Sequence, residues 1–430
     1  VRIRGDTAWP VLVPAVLACA LFCWRLGTPA LWLDEAATAQ DAGRPLGDLL
    51  AFLTERDLGL GAYYVGMHVW TLLGSAEWWL RLPSVLAMTV ATAFVADVAR
   101  RSWGTRAAYV AGLVFALAPI ASRYAQEARP YALAIALAVV AWWLLHRALE
   151  DGGRRWWIGY TIVVACLGVV QLLGLLILVA HLVRARDELR PWVRATAAAL
   201  IAPAILAVFT FGQRDTVAWI PKPTFASLAE AYAELAGGPW LLAALAATAV
   251  LALAMSASTQ TVGTAVWFAA PPLILAGIGL LTPLFLGRYL VVCVPALALL
   301  AGAAIAKLPS WTAVVPVGLA AALAASQLQA MREVDGHGPD VRQAAHTIEQ
   351  GCQPGDGIQR TVTTIQTIPY YLRDAKCRPA DLTGPLPNDI NRLWILQPTW
   401  ENGAPSGSQG LDLVQETTVE GLRVTLWKRP

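Results

Sequence analysis

Apolar runs long enough to cross about 30 Å of hydrocarbon recur along the first three quarters of the sequence, and no other feature constrains the fold so tightly. They fall at 9–25, 60–80, 83–99, 107–122, 130–145, 156–183, 192–211, 240–255, 264–282, 289–306 and 311–325. A chain in hydrocarbon must satisfy its backbone polar groups internally, so each run predicts a helix and the whole predicts a polytopic α-helical membrane protein of about 11 spans. Composition agrees: 57% of the 430 residues are apolar and 14% are charged, against about 25% charged in soluble domains. From about residue 327 the chain turns polar, charged and rich in Gly and Pro. The expected division is a transmembrane domain over 1–326 and a soluble domain over 327–430.

The first run is followed by Trp, Asp and Glu rather than a small-residue cleavage site, so it reads as a permanent anchor. A net charge of +3 gives no reason to expect nucleic acid as a partner. Cys19, Cys23, Cys166 and Cys293 lie in apolar runs, as small buried hydrophobes do. Cys352 and Cys377 fall in the soluble domain without His or further Cys at zinc spacing, which predicts a disulfide if that domain faces an oxidising compartment.

Lys and Arg collect in cytoplasmic loops and so orient the helices. Arg2 and Arg4 put the start inside, and Arg100, Arg101 and Arg106, then Arg147, Arg154 and Arg155, then Arg184, Arg186, Arg190 and Arg194 mark inner loops. Asp34 and Glu35, the stretch SRYAQEARPY (122–131), the loop 213–239, LFLGRY (284–289) and the soluble domain are then expected outside, with the protein in the cell membrane. The run 156–183 has basic residues at both ends and reads as two short helices meeting near Gln171. Two runs separate Asp34 from Arg100, yet the charges require an odd number of crossings. Either 60–80 does not fully cross or the Arg100 cluster breaks the rule.

Three polar stretches are thus expected to converge at one face: DEAAT (34–38), RYAQEARPY (123–131) and GRY (287–289). A fourth, 55–68, adds Asp57, Tyr63, Tyr64 and His68. Carboxylates beside arginines at the mouth of a helix bundle mark a polar cavity at the membrane boundary. Each residue also has a plainer role open to it. Asp34 and Glu35 suit the first turn of a short helix, Glu127 can pair with Arg123 at i, i+4, Arg288 can snorkel to the interface, and His68 can be a satisfied core histidine.

LWLDEAATA, YYVGMHVWTLLG, LRLPSVLA, SRYAQEARPYALA and FLGRYLVVCVPALALLAG, in that order, resemble the integral-membrane glycosyltransferases of the GT-C fold. Within it they look closest to the group of protein O-mannosyltransferases, aminoarabinose lipid A transferases and actinobacterial relatives, over about residues 8–305. The resemblance implies a sugar taken from a polyprenyl phosphate and given, usually with inversion, to a glycan, lipid or protein acceptor on the outer side. It maps the first-loop acidic motif onto Asp34 and Glu35. Many members carry Asp near the position of Tyr131, which leaves Glu127 as the nearest second carboxylate.

The chemistry wants these residue types. A hydroxyl is a poor nucleophile at neutral pH, so a carboxylate must accept its proton as the new bond forms. Asp34 is the candidate base, with Glu35 and Glu127 beside it. The leaving phosphate needs fixed donors, and the planar fork of arginine binds two oxygens at once. Arg288 leads, followed by Arg129, with Arg123 and Tyr289 adjoining. Asp57, Tyr63, Tyr64, His68 and Gln126 are substrate-binding candidates. A divalent metal would draw on Asp34, Glu35, Glu127 or His68, but no spacing demands one. No Gly-rich loop follows a strand as a nucleotide cradle would.

In the soluble tail, 340–359 predicts an amphipathic helix, a Pro-Gly turn and the start of a strand, 392–398 a compact strand, and 411–429 a hairpin around Glu420-Gly421. A small α/β domain follows. The rival reading is a transporter or lipid-linked-sugar flippase with an outer binding domain. Transporters usually carry internal repeats and midplane charges, and neither is visible.

Overall fold

The computed structural model describes residues 8–213, 218–362, 365, 367–382, 384, 386–401 and 403–430. Arg2, Arg4 and the 214–217 part of the 213–239 loop lie outside the described residues. Cα packing gathers the chain into two compact units. The first comprises 1–24, 45–67 and 81–328, and the second 25–44, 68–80 and 329–430.

The first unit is helical. Glu77–Trp103, which begins in the second unit, and Tyr131–Asp151, Thr259–Gly279, Gly287–Ile305 and Ser310–Ala330 are each long and apolar enough to cross a membrane. Thr105–Leu117 with Pro119–Ala125, Arg186–Ala199 with Ile201–Gln213, and Phe225–Ala236 with Pro239–Met255 are bent pairs, angled by 64°, 41° and 79°, that raise the candidates to eight if each pair is one span. Trp9–Cys23 and Leu172–Arg184 are shorter apolar helices. Gly287–Ile305 is 89% buried and Ser310–Ala330 only 17%, which sets the former at the centre of its unit and the latter at its edge. Close approach depends on small residues, as in membrane helix packing generally. A Cβ on Gly112 would lie 2.5 Å from the Pro14 ring, and one on Gly302 would lie 2.8 Å from the Ala107 carbonyl oxygen.

The 60–80 run is not one helix. Gly61–Thr71 has 11 residues, about 16 Å at 1.5 Å per residue, and the next helix begins only at Glu77. Eleven residues cannot span 30 Å of hydrocarbon, and the odd number of crossings that the charges require is met if this helix does not cross. The 156–183 run breaks at Gln171, between Arg154–Val170 and the 3₁₀ turn Leu172–Ile177. The 213–239 stretch, expected as a loop, contains the helix Phe225–Ala236. Thr224 caps its start by accepting from the Ser227 amide at 3.1 Å, and Gly237 ends it in the left-handed region at φ 89°.

The second unit contains a five-stranded sheet: β1 (Gly357–Arg360), β2 (Ala380–Leu382), β3 (Arg392–Pro398), β4 (Asp412–Val419) and β5 (Leu422–Lys428), in the order β2-β1-β3-β5-β4. The first three strands are mutually parallel, and β5 pairs antiparallel with both β3 and β4. β3 is buried along nearly its whole length, which is why it reads as an unbroken apolar run rather than an alternating one. The helix Val341–Gly351 is capped by Asp340, whose carboxylate accepts from the Gln343 amide. Its Val341, Ala344, Ala345 and Ile348 share one core with Trp394 of β3 and Val424 and Leu426 of β5. Val419 pairs with Leu422, so Glu420-Gly421 is a two-residue turn, and Gly421 takes the positive φ of 75° that the second central residue of a type II turn requires. Cys352, just past the helix, is disulfide-bonded to Cys377, with Cα atoms 5.9 Å apart.

Candidate functional site

RYAQEARPY does not form a solvated loop. Its first residues end the helix Pro119–Ala125, which Pro119 starts at a 64° bend from the preceding helix. The rest turns directly into Tyr131–Asp151. Gln126, Glu127, Arg129 and Tyr131 are all buried. Buried polar groups need partners, and distant parts of the chain supply them: Gln126 Nε2 donates to the Phe22 and Trp24 carbonyls at 2.8 Å each, and Ser84 Oγ donates to the Glu127 carbonyl at 2.6 Å. Glu127 Oε2 lies 3.4 Å from Arg123 Nε, the i, i+4 pairing open to it from the sequence. Arg129 Nη1 donates to Tyr64 Oη at 3.4 Å, and the Tyr63 and Tyr64 rings are neighbours at 6.3 Å.

GRY meets this stretch. Gly287–Cys293 is a 3₁₀ segment leading into the helix Val294–Ile305. Arg129, Arg288, Glu127 and Tyr289 all lie within electrostatic reach of the Tyr131 hydroxyl. The Tyr124 and Tyr131 rings pack edge to face at 4.9 Å. Gln171, at the break in its helix pair, donates to the Tyr289 carbonyl at 3.2 Å. The first unit thus brings together Tyr64, Arg123, Glu127, Arg129, Arg288 and Tyr289 from separated parts of the sequence.

Two members of this cluster were not singled out in the sequence. Glu234, on the helix Phe225–Ala236, interacts electrostatically with Arg288, and its carboxylate abuts Gly287 so closely that any Cβ there would collide with it. The Trp219 ring lies 5.9 Å from the Arg288 guanidinium carbon, within cation–π range. The apolar spacing of Phe225, Leu228, Tyr232 and Leu235 before Gly237-Gly238 is a helix signal that would have exposed Glu234.

Asp57 takes a left-handed conformation, φ 49°, at the start of a 3₁₀ turn, and its carbonyl accepts from Leu60 N. That is a turn role, open to Asp because its short side chain tolerates this region.

The first-loop carboxylates and His68 belong to the second unit. Asp34 and Glu35 open the helix Leu33–Ala42, as acidic residues at a helix N-terminus do. The two differ. Glu35 is fully buried, accepts from the Trp32 amide at 3.4 Å and lies 3.6 Å from His337 Nδ1. Asp34 is half-buried. His68 Nδ1 lies 2.9 Å from the Ala42 carbonyl, and the ring borders a cavity of about 500 Å³ lined also by Gln40, Thr71, Ser75, Tyr370 and Arg373. Among the described residues no three His, Cys, Asp or Glu side chains gather as a metal-ligand set.

The segment 59–213 matches the model of the dolichyl-phosphate-mannose-protein mannosyltransferase family. A comparison with curated proteins finds no match. Among solved structures, ArnT from Cupriavidus metallidurans bound to undecaprenyl phosphate is similar at a TM-score of 0.66 and 15% identity, over 98% of each chain. Its apo state is similar at 0.65 and 15% identity, over 97% of each. The arabinofuranosyltransferase AftD from Mycobacteria, as the R1389S mutant, is similar at 0.58 and 17% identity, over 97% of this chain and 41% of that one. The chain is therefore a multi-pass membrane protein with the GT-C fold.

Proposed function

We propose that this protein moves a sugar from a polyprenyl phosphate to a hydroxyl acceptor on the extracytoplasmic side of the cell membrane. The observation that carries the reading is the meeting of Arg129 and Arg288 around Tyr131 in the helical unit. A phosphate anchored in lipid rests at the membrane surface, and its charge grows as the bond to the sugar breaks. Guanidinium groups already aimed at that charge stabilise the transition state more than the ground state. Arg288 and Arg129 are assigned to the phosphate oxygens. Arg123 and Tyr289 support them, and Tyr63, Tyr64 and Gln126 form the surrounding wall.

Asp34 is assigned as the general base. It opens the helix Leu33–Ala42 in a half-buried position, one residue before the fully buried Glu35. In the proposed step the acceptor hydroxyl gives its proton to the carboxylate, its oxygen forms a bond to the anomeric carbon, and the bond from that carbon to the phosphate oxygen breaks. The polyprenyl phosphate leaves with the electron pair, and the anomeric configuration inverts.

The test is transfer by the purified chain in proteoliposomes, from polyprenyl-phosphate-linked hexose and pentose donors, with products identified by mass spectrometry. Asp34→Asn is expected to lower the rate by about 10²–10⁴ while donor binding persists. Full transfer by this variant sinks the base assignment. An unchanged profile of envelope glycans and glycoproteins in cells lacking the gene sinks the reaction itself.

A further inference from the structure

The segment 25–35, which delivers Asp34, makes almost no secondary structure of its own before Leu33. A loop in that state would normally be mobile. Here it is tied down residue by residue from the C-terminal part of the same unit. Arg25 pairs with Glu333 at 3.3 Å, and Ala30 N donates to the Val334 carbonyl at 3.1 Å. Leu31 N donates to Tyr371 Oη at 2.7 Å, and the Tyr371 hydroxyl in turn donates to Glu77. Arg342 does the most. Its guanidinium forks onto the Glu77 carboxylate and also donates to the carbonyls of Gly27, Thr28 and Pro29, at 3.2, 3.3 and 3.3 Å. Ala30 and Leu31 are buried as a result.

This pattern is more than a surface ion pair. Three successive carbonyls of an irregular segment converge on one planar cation, and only arginine has enough N–H groups in a fixed fork to serve them and a carboxylate together. The Glu77 charge works in the same sense: despite partial desolvation it makes Arg342 hold its proton more firmly than usual, and together with desolvation it pushes the Tyr371 hydroxyl up, so it stays a donor. The network ends three residues before Asp34, and His337 fixes Glu35 immediately after it.

We infer that Arg342 and Tyr371, acting through Glu77, are positioning residues for Asp34, and that the C-terminal domain serves the reaction by clasping the first loop. The inference rests on the assignment of Asp34 as base. Neither residue touches reacting atoms. Their contribution is the placement of a carboxylate, and a misplacement of about 1 Å can cost about 10²-fold in rate.

The test uses the full chain in proteoliposomes with Arg342→Gln, Arg342→Lys and Tyr371→Phe, read by kcat, by KM for the lipid-linked donor, and by amide hydrogen exchange. Arg342→Gln is expected to lower kcat by about 10- to 100-fold with donor KM nearly unchanged. Exchange should accelerate in 27–36 while β3 stays protected. Arg342→Lys keeps the charge but not the fork and should recover only part of the rate, and Tyr371→Phe should give a smaller fall in kcat with faster exchange at Leu31. Faster exchange in 27–36 with unchanged kcat, while Asp34→Asn remains inactive, overturns the clasp and leaves the base assignment standing. Unchanged exchange in all three variants overturns it as well. Full activity of Asp34→Asn is a separate failure, of the assignment on which the clasp rests.

Discussion

Around Tyr124 and Tyr131 in the helical unit, the described residues include the guanidinium groups of Arg123, Arg129 and Arg288 and the carboxylates of Glu127 and Glu234. In the second unit the buried acidic groups are matched from within: Glu35 lies against His337, and Glu77 against Arg342 and Tyr371. Arginines gathered from separated parts of the chain focus attraction on an approaching anion. A carboxylate held by donors of its own unit fixes one conformation instead. The first pattern suits the phosphate-binding role proposed above, the second suits construction.

The strongest way to break this contrast is to remove one of these arginines. Arg288→Ala is expected to lower transfer by about 10²–10³, the usual cost of losing one charge-stabilising donor, with weaker donor binding measured by titration of the lipid-linked sugar. An unimpaired variant would mean that Arg288 does not serve the phosphate. Next in size is Cys352→Ser with Cys377→Ser. It opens a cross-link across a sequence separation of 25 residues and should destabilise the second unit by about 3 kcal/mol. Denaturant melting followed through Trp394 would register this, and donor binding should stay intact if the helical unit holds the phosphate alone.

Glu127→Gln separates construction from recognition inside the cluster. Its pairing with Arg123 and its burial make it a stabilising residue, so a loss of about 1–3 kcal/mol in detergent thermal unfolding is expected. A normal melting temperature with abolished transfer would instead make it a second acidic catalytic group. The smallest effect belongs to Gly287→Ala. Its Cβ would push against the Glu234 carboxylate and so shift its neighbour Arg288 slightly, for a severalfold rise in donor KM. Pairing it with Glu234→Ala, which removes the obstruction, should recover most of that loss.

Some of this architecture was plain from residue order alone. The helix at 341–351, the β3 strand, the Glu420-Gly421 turn and the break at Gln171 all follow from local signals: a capping Asp, an unbroken apolar run, a positive-φ Gly and basic residues at both ends of one long segment. The 60–80 run was misleading because Trp70 and Trp79 are apolar like a membrane helix, yet they stack at 4.5 Å across a break between helices and belong to the second unit. Hydropathy averages over such a break. Glu234 was overlooked for the opposite reason, since an amphipathic helix beside polar flanks looks like a loop to the same average.

The sequence by itself determined that the chain is a bundle of membrane helices with a small α/β domain, because hydrocarbon thickness and backbone hydrogen bonding leave few alternatives. It also marked Asp34, Glu127, Arg129 and Arg288 as candidate site residues at the mouth of the bundle. Only the tertiary structure decided that residues 25–44 and 68–80 fold with the C-terminal domain rather than with the helices around them in sequence. It alone buried Glu35 fully against Trp32 and His337, too. Both decisions depend on contacts between residues about 300 positions apart, and no local periodicity encodes which distant partner a buried charge will meet.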